Sequence, residues 1–271
     1  MNDSPIKLAV LLSGSGRTLQ NLIDRIAAGQ LNAQIVLVIG SRPGLVGLQR
    51  AADAKLMNFI ADRRDFAGAE EHSKQIFSLC DDANVDLVCL AGWLCLLHVP
   101  EKYAGRVMNI HPSLLPSFGG KGMYGRRVHQ AVLDYGCKVS GCTVHFVDGD
   151  YDNGPVILQR TCEVLNNDTA DTLAHRVFEQ ETIAYPQAIQ LFAGASPSFQ
   201  LRSNSGRFFL DAFDIERIEI KGGGGADRID TADRSGRIDG RGGIDHWLAD
   251  LSAVIADLTY VVGTTAAISA A

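Results

Sequence analysis

The chain has 271 residues, of which 46% are hydrophobic, so it can bury the core of one large domain or of one domain with an appendage. Its formal net charge of −6 gives no electrostatic reason to expect a nucleic-acid partner. No apolar run approaches the length of a membrane span, and no basic segment typical of a secretory signal precedes the first apolar run.

The cysteines favour a reducing compartment. None of the six belongs to a C-x-x-C pair, and most lie in apolar runs. They are typical of reduced thiols in a core or pocket, and not of a disulfide framework or a zinc site. We therefore expect a cytoplasmic protein.

A strand, a turn and a helix open the chain. The nearly continuous apolar run at residues 6–12 predicts a strand buried on both faces, as in a parallel sheet. A glycine-rich turn at residues 13–18 leads into a helix with apolar residues at helical spacing. Backbone N–H groups at the start of such a helix favour an anion. Gly16, Arg17 and Thr18 are therefore candidates for binding a phosphate group.

The turn does not match the known nucleotide signatures. Leu19 stands where a dinucleotide fingerprint has its third small residue, and residues 40–42 lack the acidic residue expected after the second strand. The Gly-Lys-Ser/Thr of a P-loop is also absent. A phosphate monoester remains as the candidate ligand, and a plain tight turn without a ligand is an equal alternative.

Strand and helix patterns then alternate. The predicted strands lie near residues 34–39, 58–61 and 85–91, and the predicted helices near residues 45–55 and 67–82. This alternation predicts a doubly wound, mostly parallel α/β sheet with right-handed crossovers. Ligands of such sheets bind at the carboxyl ends of the strands, where the apolar loop at residues 92–99 should also lie. That loop could form a wall for a flat heteroaromatic ligand, or belong to the ordinary core.

Asn109 and His111 are the strongest candidates for chemistry. In an extended segment, side chains two residues apart point to the same side, so these two share one space. Pro112 keeps His111 extended and ends strand pairing. An amide that binds a developing oxyanion and an imidazole that moves a proton suit an acyl-transfer centre. The competing interpretation is a polar strand end with a surface histidine.

The remaining elements complete one domain. Residues 119–129 are glycine-rich and basic, and predict a loop leading into a helix. A strand at residues 140–147 runs into the acidic turn at residues 148–155, which is either solvated or set against His111. A further strand and a long helix follow, near residues 156–159 and 168–192.

Several segments together resemble the folate-dependent formyltransferases. They are Asn-Ile-His-Pro-Ser-Leu-Leu-Pro at 109–116, Thr-Val-His-Phe-Val at 143–147, Asp-Asn-Gly-Pro-Val-Ile at 152–157, Leu-Leu-Ser-Gly-Ser-Gly-Arg-Thr-Leu-Gln-Asn at 11–21 and Arg-Val-Phe-Glu-Gln-Glu at 176–181. The resemblance covers about residues 5–193 in the family's order. It implies a Rossmann-like formyltransferase fold in a monomer or homodimer. It also implies transfer of a formyl group from 10-formyltetrahydrofolate to the amine of glycinamide ribonucleotide, without a catalytic metal.

The resemblance also implies roles for single positions. Asn109, His111 and Asp152 fall on the family's catalytic trio, and His145 on a supporting position. Glu181 falls on the carboxylate that meets the glycinamide end. The turn that holds the ribose phosphate corresponds to Gly16, Arg17 and Thr18. The positions that fall on the folate pocket are Trp93, Leu94, Cys95, Leu96, Leu97, Val147 and Asp148.

The chain departs from the family at three places. Cys95 stands where members often have arginine, residues 119–124 replace the commoner Pro-Gly stretch, and Phe178 stands where some members have a polar substrate contact. Among sister activities, a tRNA formyltransferase would need a basic surface and a longer C-terminal domain. A deformylase-like hydrolase would need an N-terminal regulatory domain. A non-catalytic folate or phosphate binder is the third alternative.

The composition changes after Gly194. We predict a formyltransferase domain at residues 1–194, a linker at 195–207, and a small glycine-rich β appendage at 208–271. Within the appendage, residues 222–230 resemble the nonapeptide of haemolysin-type calcium-binding β-rolls, and residues 240–247 fit again with one glycine lost. If a roll forms, one calcium ion would lie between Asp227 and Asp245. A glycine-rich linker that meets the pattern by chance is the alternative.

Overall fold

Strands and helices alternate through the first 194 residues. The computed structural model describes residues 4–194 and, as backbone alone, the strand residues 218–222, 238–240, 259–262 and 266–270. The elements of the first part are β1 (Ile6–Leu12), α1 (Arg17–Ala27), β2 (Ala33–Gly40), α2 (Val46–Asp53), β3 (Asn58–Ile60), α3 (Ala69–Asp82), β4 (Leu87–Leu90), β5 (Val107–His111), α4 (Arg126–Tyr135), β6 (Val139–Phe146), β7 (Val156–Glu163) and α5 (Ala170–Gly194). Within the described residues, none of the helices is long and apolar enough to cross a membrane.

One sheet contains all seven of these strands, in the order β3-β2-β1-β4-β5-β6-β7. The first five in that order pair in parallel, whereas β6 runs antiparallel to both β5 and β7. The prediction of a doubly wound, mostly parallel α/β sheet is therefore confirmed. The order reverses direction at β1 and β4, and this is where such sheets open a crevice at their carboxyl edge.

Both faces of the sheet are covered. Leu8, Val10 and Leu12 of β1 pack into the core that α1, α2 and α5 share. Ala9 and Leu11 point to the opposite face and pack against residues of α3. The alternation of side chains along a strand gives the sheet these two apolar faces, so β1 reads as a continuous apolar run.

Tyr185 of α5 bridges two adjacent central strands of the sheet. Its side chain is fully buried, and its hydroxyl lies 3.0 Å from the carbonyl oxygens of Leu90 and of Met108. These carbonyls belong to β4 and β5. The hydroxyl thus provides a polar partner at the edge of the sheet, immediately before Asn109.

Residues 195–271 form a second compact unit. Its described strands are β8 (Ile218–Gly222), β9 (Ile238–Gly240), β10 (Thr259–Val262) and β11 (Ala266–Ala270), in the order β10-β11-β8-β9. β8 and β9 run parallel, with Ile220 opposite Ile238 and Gly222 opposite Gly240. The predicted linker and the predicted calcium ligands Asp227 and Asp245 lie outside the described residues.

Gly16 has a packing role as well as a place in the turn. Its φ of +71° lies in the left-handed region, and a Cβ on it would come within 2.5 Å of the Gly47 Cα on α2. The start of α1 therefore rests backbone against backbone on the start of α2. Gly14 differs, since a Cβ there would meet nothing within 4 Å.

We expect Gly16→Ala to lower the free energy of unfolding by about 1–3 kcal/mol, because the new side chain combines left-handed backbone strain with a clash against Gly47. Urea denaturation of the full chain measures this loss. Gly14→Ala is the matched control and should stay within about 0.5 kcal/mol of the parent. Equal unfolding midpoints for the two variants would contradict the packing role.

Candidate active site

A cleft of about 620 Å³ opens at the carboxyl edge of the sheet. Fourteen of the residues predicted from the sequence line it together, namely Gly16, Arg17, Thr18, Trp93, Leu94, Cys95, Leu96, Leu97, Asn109, His111, His145, Val147, Asp152 and Glu181. Asp148 does not line it. Its carboxylate instead accepts hydrogen bonds within its own turn, from the Asp150 N–H at 3.4 Å and from the Asn153 amide at 3.1 Å.

The turn at residues 13–18 is braced by an arginine from α2. The Arg50 guanidinium donates to the Ser15 carbonyl oxygen at 2.9 Å and to Gln20 Oε1 at 3.1 Å. With the Ser15 carbonyl held from the side, α1 begins at Arg17 in a fixed direction. The N–H groups at its start lie at the cleft, and such a helix start favours an anion.

Two loops of the cleft are joined directly. The Ser13 N–H donates to the Gly92 carbonyl oxygen at 3.1 Å, and Ser13 Oγ accepts from the Leu94 N–H at 3.1 Å. Because β1 and β4 are adjacent parallel strands, the loops that follow them meet at this point. The turn at residues 13–18, which is the candidate phosphate turn, and the apolar loop are therefore parts of one wall.

The apolar loop divides between core and cleft. Trp93 and Leu97 are buried, whereas Leu94 is 48% exposed and Cys95 is half-buried. The Trp93 ring stacks on His72 of α3, at 5.8 Å between centroids. Burial raises the pKa of the Cys95 thiol, so the thiol stays protonated at neutral pH. Trp93 and Leu97 thus belong to the core, whereas Leu94 exposes an apolar side chain to the cleft.

The Asp152 carboxylate is the centre of the polar cluster. Its Oδ2 accepts from the Gly120 N–H at 2.9 Å and lies 3.3 Å from His111 Nδ1, and its Oδ1 lies 3.3 Å from Asn109 Nδ2. Asp152 has a φ of +55°, a left-handed conformation that Asp and Asn tolerate better than most residues. This turn of the backbone directs the carboxylate inward, against β5.

Hydrogen-bond partners define the His111 tautomer. His111 is 3% exposed, so it is not the surface histidine of the competing interpretation. Its Nε2 lies 2.9 Å from the Phe118 carbonyl oxygen, which can only accept, so Nε2 carries a proton. Nδ1 is then the nitrogen that gains or loses a proton, and it faces Asp152.

Hydrogen-bond partners define the tautomer of neutral His145 in the same way. Its Nδ1 lies 2.8 Å from the Phe146 carbonyl oxygen and therefore donates. In the neutral ring, Nε2 is left as an acceptor and receives the Asn109 amide N–H at 3.1 Å, whereas in the protonated ring Nε2 donates toward Asp152 Oδ1 at 3.7 Å. His145 thus orients the Asn109 amide so that its nitrogen, and not its oxygen, points toward Asp152.

Burial and charge act in opposite directions on this cluster. Burial, with the His145 ring adding to it, lowers the pKa of His111 below its ordinary value, although the Asp152 carboxylate and the Phe118 carbonyl act to raise it. Burial opposes ionisation of Asp152, but His145, the charge of His111 and the Gly120 N–H outweigh it and lower the pKa of Asp152. The aspartate is therefore an anion at neutral pH, and it favours the charged form of His111.

Two further titratable groups face the cleft. Burial raises the pKa of Glu181 to about 7, against the opposing charge of Arg17. Burial lowers the pKa of His129 to about 4, with His111 and Arg17 adding to the effect. His129 is 4% exposed, and its Nδ1 has no hydrogen-bond partner within the described part of the chain. Near neutral pH, Glu181 can therefore exchange a proton while His129 stays neutral.

Sequence reasoning missed several of these groups. Arg50 is one of many helix arginines, and only the turn that it braces distinguishes it. Phe118 and Gly120 act through the backbone, which leaves no side-chain signature. For His129, the apolar residues Val132 and Leu133 three and four positions later on the helix were the one available signal, and the basic loop before it obscured that signal.

The sequence matches the family of formyl transferases over residues 6–189. It is 40% identical over 194 residues to the trifunctional purine biosynthetic protein adenosine-3 of Drosophila melanogaster. The aligned region covers 70% of this chain and 14% of that protein. It is 35% identical over 187 residues to the chloroplastic phosphoribosylglycinamide formyltransferase of Arabidopsis thaliana. That aligned region covers 68% of this chain and 64% of that protein. The chain therefore spans a minor part of the trifunctional relative.

Solved structures resemble the fold over almost their whole length. A glycinamide ribonucleotide transformylase from Symbiobacterium toebii superposes with a TM-score of 0.67 at 35% identity, covering 78% of this chain and 95% of the other. A phosphoribosylglycinamide formyltransferase from Brucella melitensis gives a TM-score of 0.63 at 37% identity, covering 71% and 98%.

We expect His111 to titrate at a lower pH in Asp152→Asn than in the parent protein, because the change removes the carboxylate that stabilises the imidazolium. NMR titration of the histidine ring signals measures this directly. Asp150→Asn, the same change two residues earlier in the turn, is the control and should leave the titration in place. An unchanged or higher midpoint in Asp152→Asn would show that the two groups are not coupled.

Proposed function

The chain belongs to the formyl transferase family, and we propose that it transfers a formyl group from 10-formyltetrahydrofolate to the amine of glycinamide ribonucleotide, a step of purine biosynthesis. One observation carries the proposal. Asn109 and His111 converge on the Asp152 carboxylate in the same cleft that contains the phosphate turn and Glu181. The relatives named above for this reaction support it.

Asn109 and His111 stabilise the oxyanion. Attack of the amine on the formyl carbon creates a tetrahedral intermediate with a negatively charged oxygen. Asn109 Nδ2 lies 3.3 Å from Asp152 Oδ1 and His111 Nδ1 lies 3.3 Å from Asp152 Oδ2, and this convergence of two nitrogens on one carboxylate supports the assignment. Donors already oriented toward developing charge lower the barrier, because they need no reorganisation during the reaction.

His111 and Asp152 take part in transfer of the proton that the attacking amine loses. Since Nε2 is held by the Phe118 carbonyl, Nδ1 is the site of exchange, and it lies between the cleft and Asp152. The carboxylate favours the charged form of His111 and helps to relay the proton that the attacking amine loses to the folate nitrogen, which leaves as its bond to the formyl carbon breaks. No covalent bond between enzyme and substrate is needed, because the geometry serves positioning and charge stabilisation.

The two ends of the ribonucleotide meet different groups. The N–H groups at the start of α1 and the Arg17 guanidinium receive the phosphate. The Glu181 carboxylate accepts an N–H of the glycinamide amine. With its pKa at about 7, it is ionised in a large fraction of molecules at neutral pH. The folate ring lies against the loop at residues 93–97, where Leu94 offers an exposed apolar surface.

A deformylase-like hydrolase is the alternative, and it differs in the acceptor. Such an enzyme would release formate from 10-formyltetrahydrofolate in the absence of the ribonucleotide. The phosphate turn and Glu181 have no role in that reaction, so their presence in the cleft favours the transferase. Measurement of formate release without ribonucleotide distinguishes the two activities.

We also propose a reducing compartment, the cytoplasm, as the place of the reaction. All six cysteines are free thiols, and burial raises the pKa of Cys80, Cys89 and Cys142 to about 12. Such thiols are inert, but they are typical of a protein that is not exposed to an oxidising environment.

We expect Asp152→Asn to lower turnover by about two to four powers of ten, the range of a lost acid–base or oxyanion group. Asparagine tolerates the left-handed backbone of this position, so the change removes charge without strain. Steady-state kinetics with both substrates provides the measurement, and the KM values should change much less than turnover. Turnover within about threefold of the parent would remove Asp152 from the mechanism.

As a separate proposal, the C-terminal unit takes one calcium ion between Asp227 and Asp245. The backbone register supports it, since Gly222 lies opposite Gly240 in parallel strands and both glycines begin a nonapeptide turn. Oxygen ligands from carboxylates and carbonyls suit calcium.

We expect weak calcium binding by the full chain and its loss in the Asp227→Ala/Asp245→Ala variant, because three or more repeats are usually needed for a stable roll. Calorimetric titration of the two proteins measures this, and formyl transfer should be the same in both. Equal heats, or no binding by the parent at millimolar calcium, would make the segment a linker.

A further inference from the structure

Arg17 projects toward α5. The side chains of Arg17, Asn21 and Arg25 recur every four residues and share one face of α1. Asn21 and Arg25 both donate to the Thr182 carbonyl oxygen of α5, at 3.1 and 3.4 Å. The face that carries Arg17 is therefore the face that α1 presents to α5.

The Arg17 guanidinium lies over an aromatic ring. Its central carbon is 4.1 Å from the centroid of Phe178, and both side chains line the cleft. Within residues 4–194, the Arg17 side chain makes no hydrogen bond and no ion pair. A cation–π contact needs no hydrogen bond, so the N–H donors of the guanidinium stay available to a ligand. This contact, called the stack below, therefore orients the Arg17 cation without occupying its N–H donors.

A carboxylate stands close by and is not paired with this cation. Glu181 follows Phe178 by three residues, so the two side chains are neighbours on one face of α5. No ion pair joins Arg17 to Glu181 in the described part of the chain, although both line the cleft. Such a pair would occupy the cation proposed for the phosphate and the carboxylate proposed for the amine.

We propose that Phe178 is a positioning residue for the ribonucleotide: its ring holds the Arg17 guanidinium out of an ion pair with Glu181, and so keeps the cation free for the phosphate and the carboxylate free for the amine. This role rests on the proposed function and extends it to a position where some members of the family have a polar residue. Phe178 acts through Arg17 and touches neither reacting atom.

The Phe178→Leu variant tests whether the aromatic ring itself is needed. Leucine fills part of the same space, but it offers no negative π face to a cation. Without the stack, the flexible Arg17 side chain is free to approach Glu181. The groups that interact electrostatically with Glu181 are Arg17 from α1, Cys142 from β6 and Tyr185 from α5 itself. Of these, Arg17 is the one that is cationic at neutral pH.

The experiment compares Phe178→Leu and Phe178→Tyr with the parent in steady-state formyl transfer. In Phe178→Leu, the KM for glycinamide ribonucleotide should rise about five- to thirtyfold, the range of a partly desolvated cation–π contact. Turnover should stay within about threefold, and the KM for 10-formyltetrahydrofolate should not change. Phe178→Tyr keeps the ring and should restore the KM.

The pH profile separates this role from a merely structural one. The acid limb of kcat/KM for the ribonucleotide should shift to lower pH in Phe178→Leu, because an arginine paired with Glu181 favours its ionised form. Phe192→Leu, the same change on the same helix outside the cleft, is the matched control. It should lower Tm without moving the KM or the acid limb.

A double-mutant cycle with Arg17→Ala completes the test. Phe178→Leu should add nothing once Arg17 is alanine, since the ring acts through the guanidinium. Additive effects would show that the ring contacts the ribonucleotide itself, and an unmoved acid limb or a KM within twofold of the parent would equally overturn the proposal.

Binding of ribose 5-phosphate, measured by calorimetry, keeps this test independent of catalysis. If the parent does not formylate the ribonucleotide, the proposed function fails, while weaker ribose 5-phosphate binding by Phe178→Leu than by Phe178→Tyr still supports the stack. Equal affinity of the two variants, or no binding by the parent, would overturn the stack.

Discussion

A buried carboxylate holds the centre of this cleft together. The Asp152 side chain is 10% exposed, and an unpaired anion at such a position costs several kcal/mol. The Gly120 and Asn109 amides meet that cost by pointing N–H bonds at it, and His111 Nδ1 adds a third when the ring is protonated. Satisfying the anion therefore fixes the direction of these groups, and the proposed formyl transfer would use Asn109 and His111 in that orientation.

The fold brings these groups together through the edge of one sheet. β1, β4 and β5 are adjacent and parallel, so the segments that follow them meet at one end. Ser13 joins the first two segments by hydrogen bonds, and the Tyr185 hydroxyl lies against the last carbonyl of β4 and a carbonyl of β5. β6 reverses direction and returns His145 to a position opposite Asn109. An antiparallel strand beside a parallel set thus supplies a residue that the parallel strands alone do not provide.

The cleft keeps charges of opposite sign apart along its length. Arg17 lies on an aromatic ring, Glu181 is buried enough to raise its pKa to about 7, and Asp152 is surrounded by donors. Within the described residues, Arg17 and Glu181 therefore form no ion pair with each other and stay available to a ligand. A ligand with an anionic end and an amine end can then be recognised at both ends, which suits a ribonucleotide better than folate alone.

The amino-acid sequence by itself determined the alternation of strands and helices, since apolar periodicity depends on which faces are buried. It also determined the local pairs: Asn109 with His111, two residues apart on a strand, and the turn at residues 13–18 before a helix. For Asp152 and Glu181, the assignment came from resemblance, because no periodicity links them to His111. Only the tertiary structure decided that the Phe118 carbonyl sets the His111 tautomer, that Arg50 braces the phosphate turn and that Phe178 carries Arg17. The physical reason is that these contacts join residues far apart in the chain, or join a side chain to a backbone carbonyl that every residue possesses, so no local pattern marks them.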